Sequence, residues 1–211
     1  MITLYQTEWC PFSHPIRQVL TELGLTFTTV NVPAAPAERA EVIAVAGQDS
    51  VPVLTDGDKV FGDSDEIIAY LRATYPEPED AGEHAAKGAW RFVVMVSLAP
   101  RAALARLREL LEQKGFVILS HISGPEIDDR FPPEYALLHV TVPVAAIKAL
   151  DVDPLAPVAM SLPVAVVPTE DGKSVVAAAD PVAQVWLYGD ADLVRVQGAV
   201  KKRLRELLGE L

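Results

Sequence analysis

The chain contains a single cysteine, Cys10, so neither an internal disulfide nor a cysteine-rich zinc site can be built from it. A free thiol in a reducing compartment is either an inert core residue or a nucleophile. Cys10 follows a short strand and the polar loop Gln6-Thr7-Glu8, directly precedes Pro11, and stands a few residues before a predicted helix. A thiol placed there meets the positive end of the helix dipole and free backbone N–H donors, both of which favour the nucleophilic thiolate. Its neighbours Glu8, Trp9, Pro11 and Ser13 do not form the apolar run expected around a structural cysteine. The nucleophile reading is preferred.

Two further segments bear polar or conformationally special residues. In Ser50-Val51-Pro52-Val53-Leu54 a proline opens a strand, which is tolerated if the bond is cis or the position needs no ladder donor. A cis Val51–Pro52 bond would turn the Val51 backbone outward, ready to pair with an extended peptide; a trans bond makes this an ordinary strand start. In Gly62-Asp63-Ser64-Asp65-Glu66-Ile67, Asp and Ser precede an apolar periodic run and form a helix N-cap, although Ser64 with Ile67 three residues later is not a full capping box. Capping alone explains this segment. Alternatively, free N–H groups and Asp65 hold the carboxylate and amine ends of a γ-glutamyl group.

His121 and His139 fall on predicted strands and could approach each other across a sheet, but no Cys, Asp or Glu completes an evident metal site. Trp186-Leu187-Tyr188 reads as core or as the wall of a pocket.

The elements that position these residues follow from apolar spacing. Ile2–Tyr5 is a strand. Pro15–Leu23 is a helix with Ile16, Val19, Leu20 and Leu23 on one face and Gly24 as its stop. Thr26–Val32 is extended and Pro36–Ala46 is a second helix. Val51–Thr55 and Lys59–Phe61 form a hairpin across Asp56-Gly57. Ser64–Tyr75 is a third helix, which gives the order β-α-β-α-β-β-α. The polar, proline-containing stretch from Pro76 to Gly82 begins a linker over 76–89. Beyond it come strands at Trp90–Val96, Phe116–Ile122 and Ala136–Val142, and a hairpin of Leu162–Val167 with Ser174–Ala178. Helices are predicted at Pro100–Lys114, Ala145–Leu150 and Leu193–Leu208, the last with a basic face. The expected fold class is thus α/β and α+β, in two domains at 1–75 and 90–211.

Residues 2–75 resemble the glutaredoxin family and the related N-terminal domain of glutathione transferases. The resemblance rests on Cys10-Pro11-Phe12-Ser13, on the Val51-Pro52 pair and on Asp63-Ser64-Asp65-Glu66-Ile67, in that order and spacing. It implies a thioredoxin fold with glutathione lying between the three motifs. Cys10 would attack a disulfide or hold glutathione as a mixed disulfide, with Pro11, Phe12 and Ser13 around it. Val51 would pair with the cysteinyl part of glutathione beside cis Pro52. Ser64 would bind the γ-glutamyl carboxylate, helped by Asp63 or Asp65. The implied activity is monothiol thiol–disulfide exchange with glutathione or another low-molecular-weight thiol as co-substrate, a small thiol or protein disulfide as partner, and no tightly bound cofactor.

This sequence departs from the pattern at three points. Ser13 stands where dithiol relatives have a second cysteine, so an outside thiol must resolve the mixed disulfide. Thr7 replaces a frequent lysine, and the adjacent Glu8 is expected to oppose the thiolate. Pro11 stands where the iron–sulfur-carrying monothiol group has Gly ahead of its Phe, which disfavours cluster carriage. Two other readings are a non-catalytic binding or scaffold protein with a regulatory thiol, and glutathione conjugation to an electrophile.

Residues 91–185 resemble the domain-of-unknown-function 302 family. The resemblance is carried by Gly115–Ile122, Ala149–Pro154, Leu162–Val166 and Ala179-Asp180-Pro181, with Val164 where many relatives have a cysteine. It implies a small two-layer α/β fold, and the expected role is selection of substrate or partner.

Charge narrows the function classes further. Residues 1–80 hold 13 Asp and Glu against 4 Lys and Arg, and the whole chain carries −11, which argues against a nucleic-acid partner. No run reaches the roughly 18 apolar residues of a membrane span, and the first residues show no basic stretch ahead of an apolar one. A cytoplasmic protein is the expectation.

Overall fold

The computed structural model describes residues 1–185 and 189–211, and the chain divides into two compact units, Met1–Gly88 and Ala89–Leu211. In the first unit β1 (Ile2–Gln6), α1 (Ser13–Glu22), β2 (Phe27–Asn31), α2 (Ala40–Ala46), β3 (Val53–Asp56), β4 (Lys59–Phe61), α3 (Ser64–Thr74) and α4 (Ala81–Gly88) follow in chain order. The sheet runs β2-β1-β3-β4, with β1 parallel to β2 and the other pairs antiparallel. Successive strand side chains point to opposite faces, and both faces are apolar. Ile2, Leu4 and Leu54 pack with Ile16, Leu20, Ile67 and Leu71 of α1 and α3, whereas Tyr5 and Val53 pack with Val32 and with Val42 of α2. This helix-sheet-helix sandwich is thioredoxin-like. Each fully buried leucine contributes about 1.5–3 kcal/mol of transfer free energy.

Four local expectations are corrected. Helix α1 starts at Ser13 rather than Pro15, because a proline in the first turn lacks only a donor that has no intrahelical partner there. The predicted helix Pro36–Ala46 breaks at Arg39 into a 3₁₀ turn, Pro36–Glu38, and α2. The hairpin loop is Gly57-Asp58, not Asp56-Gly57: Asp56 pairs with Lys59, and Gly57 takes φ +60°, a conformation that glycine adopts without steric cost. Within the expected linker 76–89 lies α4, whose Ala81 is buried.

The second unit contains β5 (Arg91–Val96), α5 (Pro100–Gln113), β6 (Val117–Ser123), α6 (Gly124–Ile127), β7 (Ala136–Thr141), α7 (Pro143–Val152), β8 (Leu162–Pro168), β9 (Ser174–Ala179), α8 (Pro181–Val185) and α9 (Ala191–Leu208). Its sheet is antiparallel throughout, in the order β5-β9-β8-β7-β6. Leu107, Leu110 and Leu111 of α5 and Val200, Leu204 and Leu207 of α9 bury one sheet face, which presents Leu138, Val164 and Val176. The basic face of α9 is partly bound within the unit: Lys201 reaches the buried Asp180 at 2.5 Å.

Candidate active site

The chain leaving β1 folds into a tight turn in which the Cys10 N–H donates to the Thr7 carbonyl at 3.1 Å. The Cys10 carbonyl then accepts from the N–H groups of Ser13 and His14 at 3.2 and 3.3 Å. Cys10 thus forms the approach to α1 at the positive end of the helix dipole, but the free backbone donors expected there are taken, because the Ser13 and His14 N–H groups bond the Cys10 carbonyl and Pro15 has none. The residue is only 9% exposed. Its S–H donates to the Val51 carbonyl at 3.5 Å, and the Val51–Pro52 bond is cis. The Val51 carbonyl, read from sequence as open to an extended peptide, is therefore engaged by the thiol itself. Pro11 is exposed, and Trp9 and Phe12 flank the cysteine at 68% and 62% exposure. Ser13 is fully buried, and its hydroxyl has no hydrogen-bond partner among the described residues.

Glu8 does not act alone on this loop. Arg17 of α1 pairs with it at 3.3 Å and also donates to the Gln6 side chain, whose own amide donates to Asn31 at 2.7 Å. Glu8 is thus paired with a cation of α1 rather than standing alone beside the loop. These side chains line a groove of about 540 Å³ together with Thr7, Trp9 and Thr29.

The third motif is placed at the start of α3. The Asp63 carboxylate accepts from the N–H groups of Asp65 and Glu66 at 2.9 and 3.0 Å, so these two donors are capped by the chain and are not open to a γ-glutamyl carboxylate. Ser64, the first residue of the helix, and Asp65 follow directly.

Sequence reasoning missed the residues that hold the motifs together. Gln48 donates to the carbonyls of Gly62 at 3.0 Å and Ser50 at 3.4 Å, which ties the approach to α3 to the segment ahead of Val51. A Cβ on Gly62 would fall 2.4 Å from the end of the Gln48 side chain, so a larger residue there would push Gln48 aside. Arg39 is buried and donates to the carbonyls of Pro33, Ala34 and Asp49 at 2.8, 3.0 and 2.8 Å. Neither contact follows from a spacing pattern. The one available signal was a basic residue interrupting the apolar period of Pro36–Ala46.

The histidine pair is corrected. Directly opposed residues share a sheet face: His121 opposes the core residue Leu138, and His139 opposes Ser120. Their side chains project from opposite faces, because the strand register shifts between Ile118 and Ser120. His139 Nδ1 lies 3.0 Å from the Ser120 hydroxyl. Trp186, Leu187 and Tyr188 lie outside the described residues.

The fold and site of the first unit define a thioredoxin-like, glutathione-related protein class. Residues 4–79 match the glutathione S-transferase N-terminal domain, and residues 92–211 match the domain of unknown function DUF302. The chain is 32% identical over 72 residues to a glutaredoxin of Pseudomonas aeruginosa, covering 34% of this chain and 86% of that protein. It is 32% identical over 115 residues to glutathione S-transferase Z2 of Arabidopsis thaliana, covering 52% of each, so it spans about half of that plant protein. A crystal structure of an uncharacterised DUF302 protein from Bacillus stearothermophilus is 26% identical with a TM-score of 0.49, covering 57% of this chain and 96% of that one. The chain belongs to the DUF302 family through its second unit and to the glutaredoxin family through its first.

Among the described residues no helix is long and apolar enough to cross a membrane, and no group of three or more His, Cys, Asp or Glu is placed to hold a metal ion.

Proposed function

We propose that the protein is a monothiol thiol–disulfide oxidoreductase that uses glutathione or another low-molecular-weight thiol. Residues 1–75 form the reactive domain, and 90–211 select the substrate or partner. The observation that carries this reading is the position of Cys10 Sγ, in the turn before α1 and 3.5 Å from the Val51 carbonyl. The Cys10 thiolate attacks the glutathione sulfur of a mixed disulfide and expels the substrate as a thiolate. A mixed disulfide between Cys10 and glutathione remains. With Ser13 three residues on, no second cysteine can resolve it, so a second glutathione thiolate attacks the bound glutathione sulfur. Oxidised glutathione leaves and Cys10 returns to its thiolate. A reducing cytoplasm, which keeps the lone cysteine as a free thiol, suits this cycle.

The test is reduction of a small glutathione mixed disulfide by excess glutathione. Wild type is expected to exceed the uncatalysed rate and to carry a glutathione adduct on Cys10 by mass spectrometry; Cys10→Ser is expected to do neither. Equal rates for the two proteins would overturn the proposal. They would support the second reading, a thioredoxin-fold binding module, which the burial of Cys10 and the use of its S–H by Val51 favour.

A further inference from the structure

Within the second unit a cavity of about 240 Å³ lies between α7 and α9. Its floor is apolar: Val142, Ala145 and Val200 line it, and each is at most 9% exposed. The space exists because small side chains meet there. Ala145 of α7 and Ala199 of α9 both line it, where larger residues would close the gap between the helices. The charged lining has one sign. Lys148, Arg195 and Arg203 line the cavity and no acidic residue does, although residues 81–211 hold 16 Asp and Glu against 14 Lys and Arg.

The cations are placed at its two ends. Ala149 of α7 and Leu193 of α9 share one small apolar cluster, whereas Val142 and Val200 belong to the core under the sheet. The two helices therefore run antiparallel, with Lys148 and Arg195 at one end of the groove. Arg203 lies eight residues along α9, about 12 Å away. Arg203 is engaged, since it donates to the Lys114 carbonyl at 3.3 Å, and Arg195 pairs with Asp192 of its own helix. Lys148 makes no hydrogen bond or ion pair among the described residues. One end of an apolar trough thus carries one unpaired positive charge.

We propose that this groove binds a medium-chain aliphatic carboxylate, with its hydrocarbon body over Val142, Ala145 and Val200 and its carboxylate between Lys148 and Arg195. Charge and size select that class. One carboxylate matches the one unpaired cation, whereas an ammonium head is repelled by both side chains and a neutral head leaves Lys148 without a partner. The cavity holds about eight water volumes at roughly 30 Å³ each, so it takes a body of about eight heavy atoms. An apolar pocket with a few convergent polar groups is the usual form of a small-molecule site.

The site is independent of the chemistry at Cys10, and the test is calorimetric titration of the full chain with octanoate, octan-1-ol and octylammonium. Octanoate is expected to saturate at one molecule per chain with a Kd below about 1 mM. Octan-1-ol is expected to bind about fivefold more weakly, and octylammonium not to saturate. Ala199 is exposed, so Ala199→Leu fills the groove from the solvent side. It is expected to weaken octanoate by about tenfold or more with an unchanged far-ultraviolet spectrum. Lys148→Gln is expected to weaken octanoate by about three- to fivefold and to leave octan-1-ol unchanged. No saturation by about 10 mM octanoate, octanoate binding no tighter than octan-1-ol or octylammonium, or wild-type affinity in either folded variant overturns the proposal.

Discussion

The Cys10 sulfur and the Val51 carbonyl oxygen, 41 positions apart in sequence, lie 3.5 Å apart. Each is held by its own scaffold. Cys10 is fixed by the turn to Thr7 and by the two α1 donors. Val51 is fixed by β3 on one side and, on the other, by the Gln48 and Arg39 contacts to Ser50 and Asp49.

Ser13→Cys should create a reversible internal disulfide. The Ser13 N–H bond to the Cys10 carbonyl puts both residues in one turn, where side chains three apart come within the Cα separation a disulfide spans. The expected result is loss of both titratable thiols on mild oxidation and their return on reduction. Persistence of two thiols would show that the side chains diverge.

Arg17→Ala should slow alkylation of Cys10 at neutral pH, because it leaves Glu8 unopposed beside the loop. Glu8→Gln should speed it. Both effects should be modest, within about threefold, because the Glu8 carboxylate is largely exposed and solvent screens it. Thr7→Lys is a poorer probe, since Thr7 is buried and the longer side chain must displace its neighbours. Rates that do not differ among wild type, Arg17→Ala and Glu8→Gln would show that this pair does not set thiol reactivity.

Arg39→Met should lower unfolding stability by about 2–4 kcal/mol, since three carbonyls lose a charged donor in a buried setting. Urea denaturation measures the loss. An effect within about 0.5 kcal/mol would mean that water replaces the guanidinium freely.

Stability should fall at both pH extremes through Asp56. Its carboxylate accepts from Tyr75 at 2.5 Å and Tyr70 at 2.8 Å. Those hydrogen bonds, the one from Tyr75 first, lower its pKa below the ordinary 3.8. The contribution is therefore present above that value and lost as pH falls through the lower folded one. The same bond, ahead of burial, pushes the Tyr75 hydroxyl up to about 12. Its contribution is complete below the ordinary value of 10 and is lost as pH rises through about 12. Tyr75→Phe should flatten the alkaline limb of a denaturation-midpoint profile; a limb equal to wild type would assign it to another group.

A fragment of residues 1–88 should fold alone, whereas 1–75 should be less stable, because the latter lacks α4 and its buried Ala81. Thermal unfolding of both fragments decides this. Equal midpoints would leave the boundary at 75.

The sequence by itself determined the candidate reactive residue, most of the order of elements and the division into two halves. Those features are written in short-range patterns: one cysteine before a proline and a helix, apolar residues at periods of two and 3.6, and proline-rich polar spacing between the halves. Even the faces of β1 and β3 follow from alternation. Only the tertiary structure decided what touches Cys10, that Arg17 answers Glu8, and that Gln48 and Arg39 join three loops. These are hydrogen bonds of long side chains to backbone carbonyls or to residues brought near by packing. Such bonds have no periodicity, and almost any loop sequence supplies the acceptors. The histidines show the same limit in a sheet. Their strands were legible, but a register shift of one residue moved His121 and His139 to opposite faces, because side-chain direction in a strand alternates with every residue.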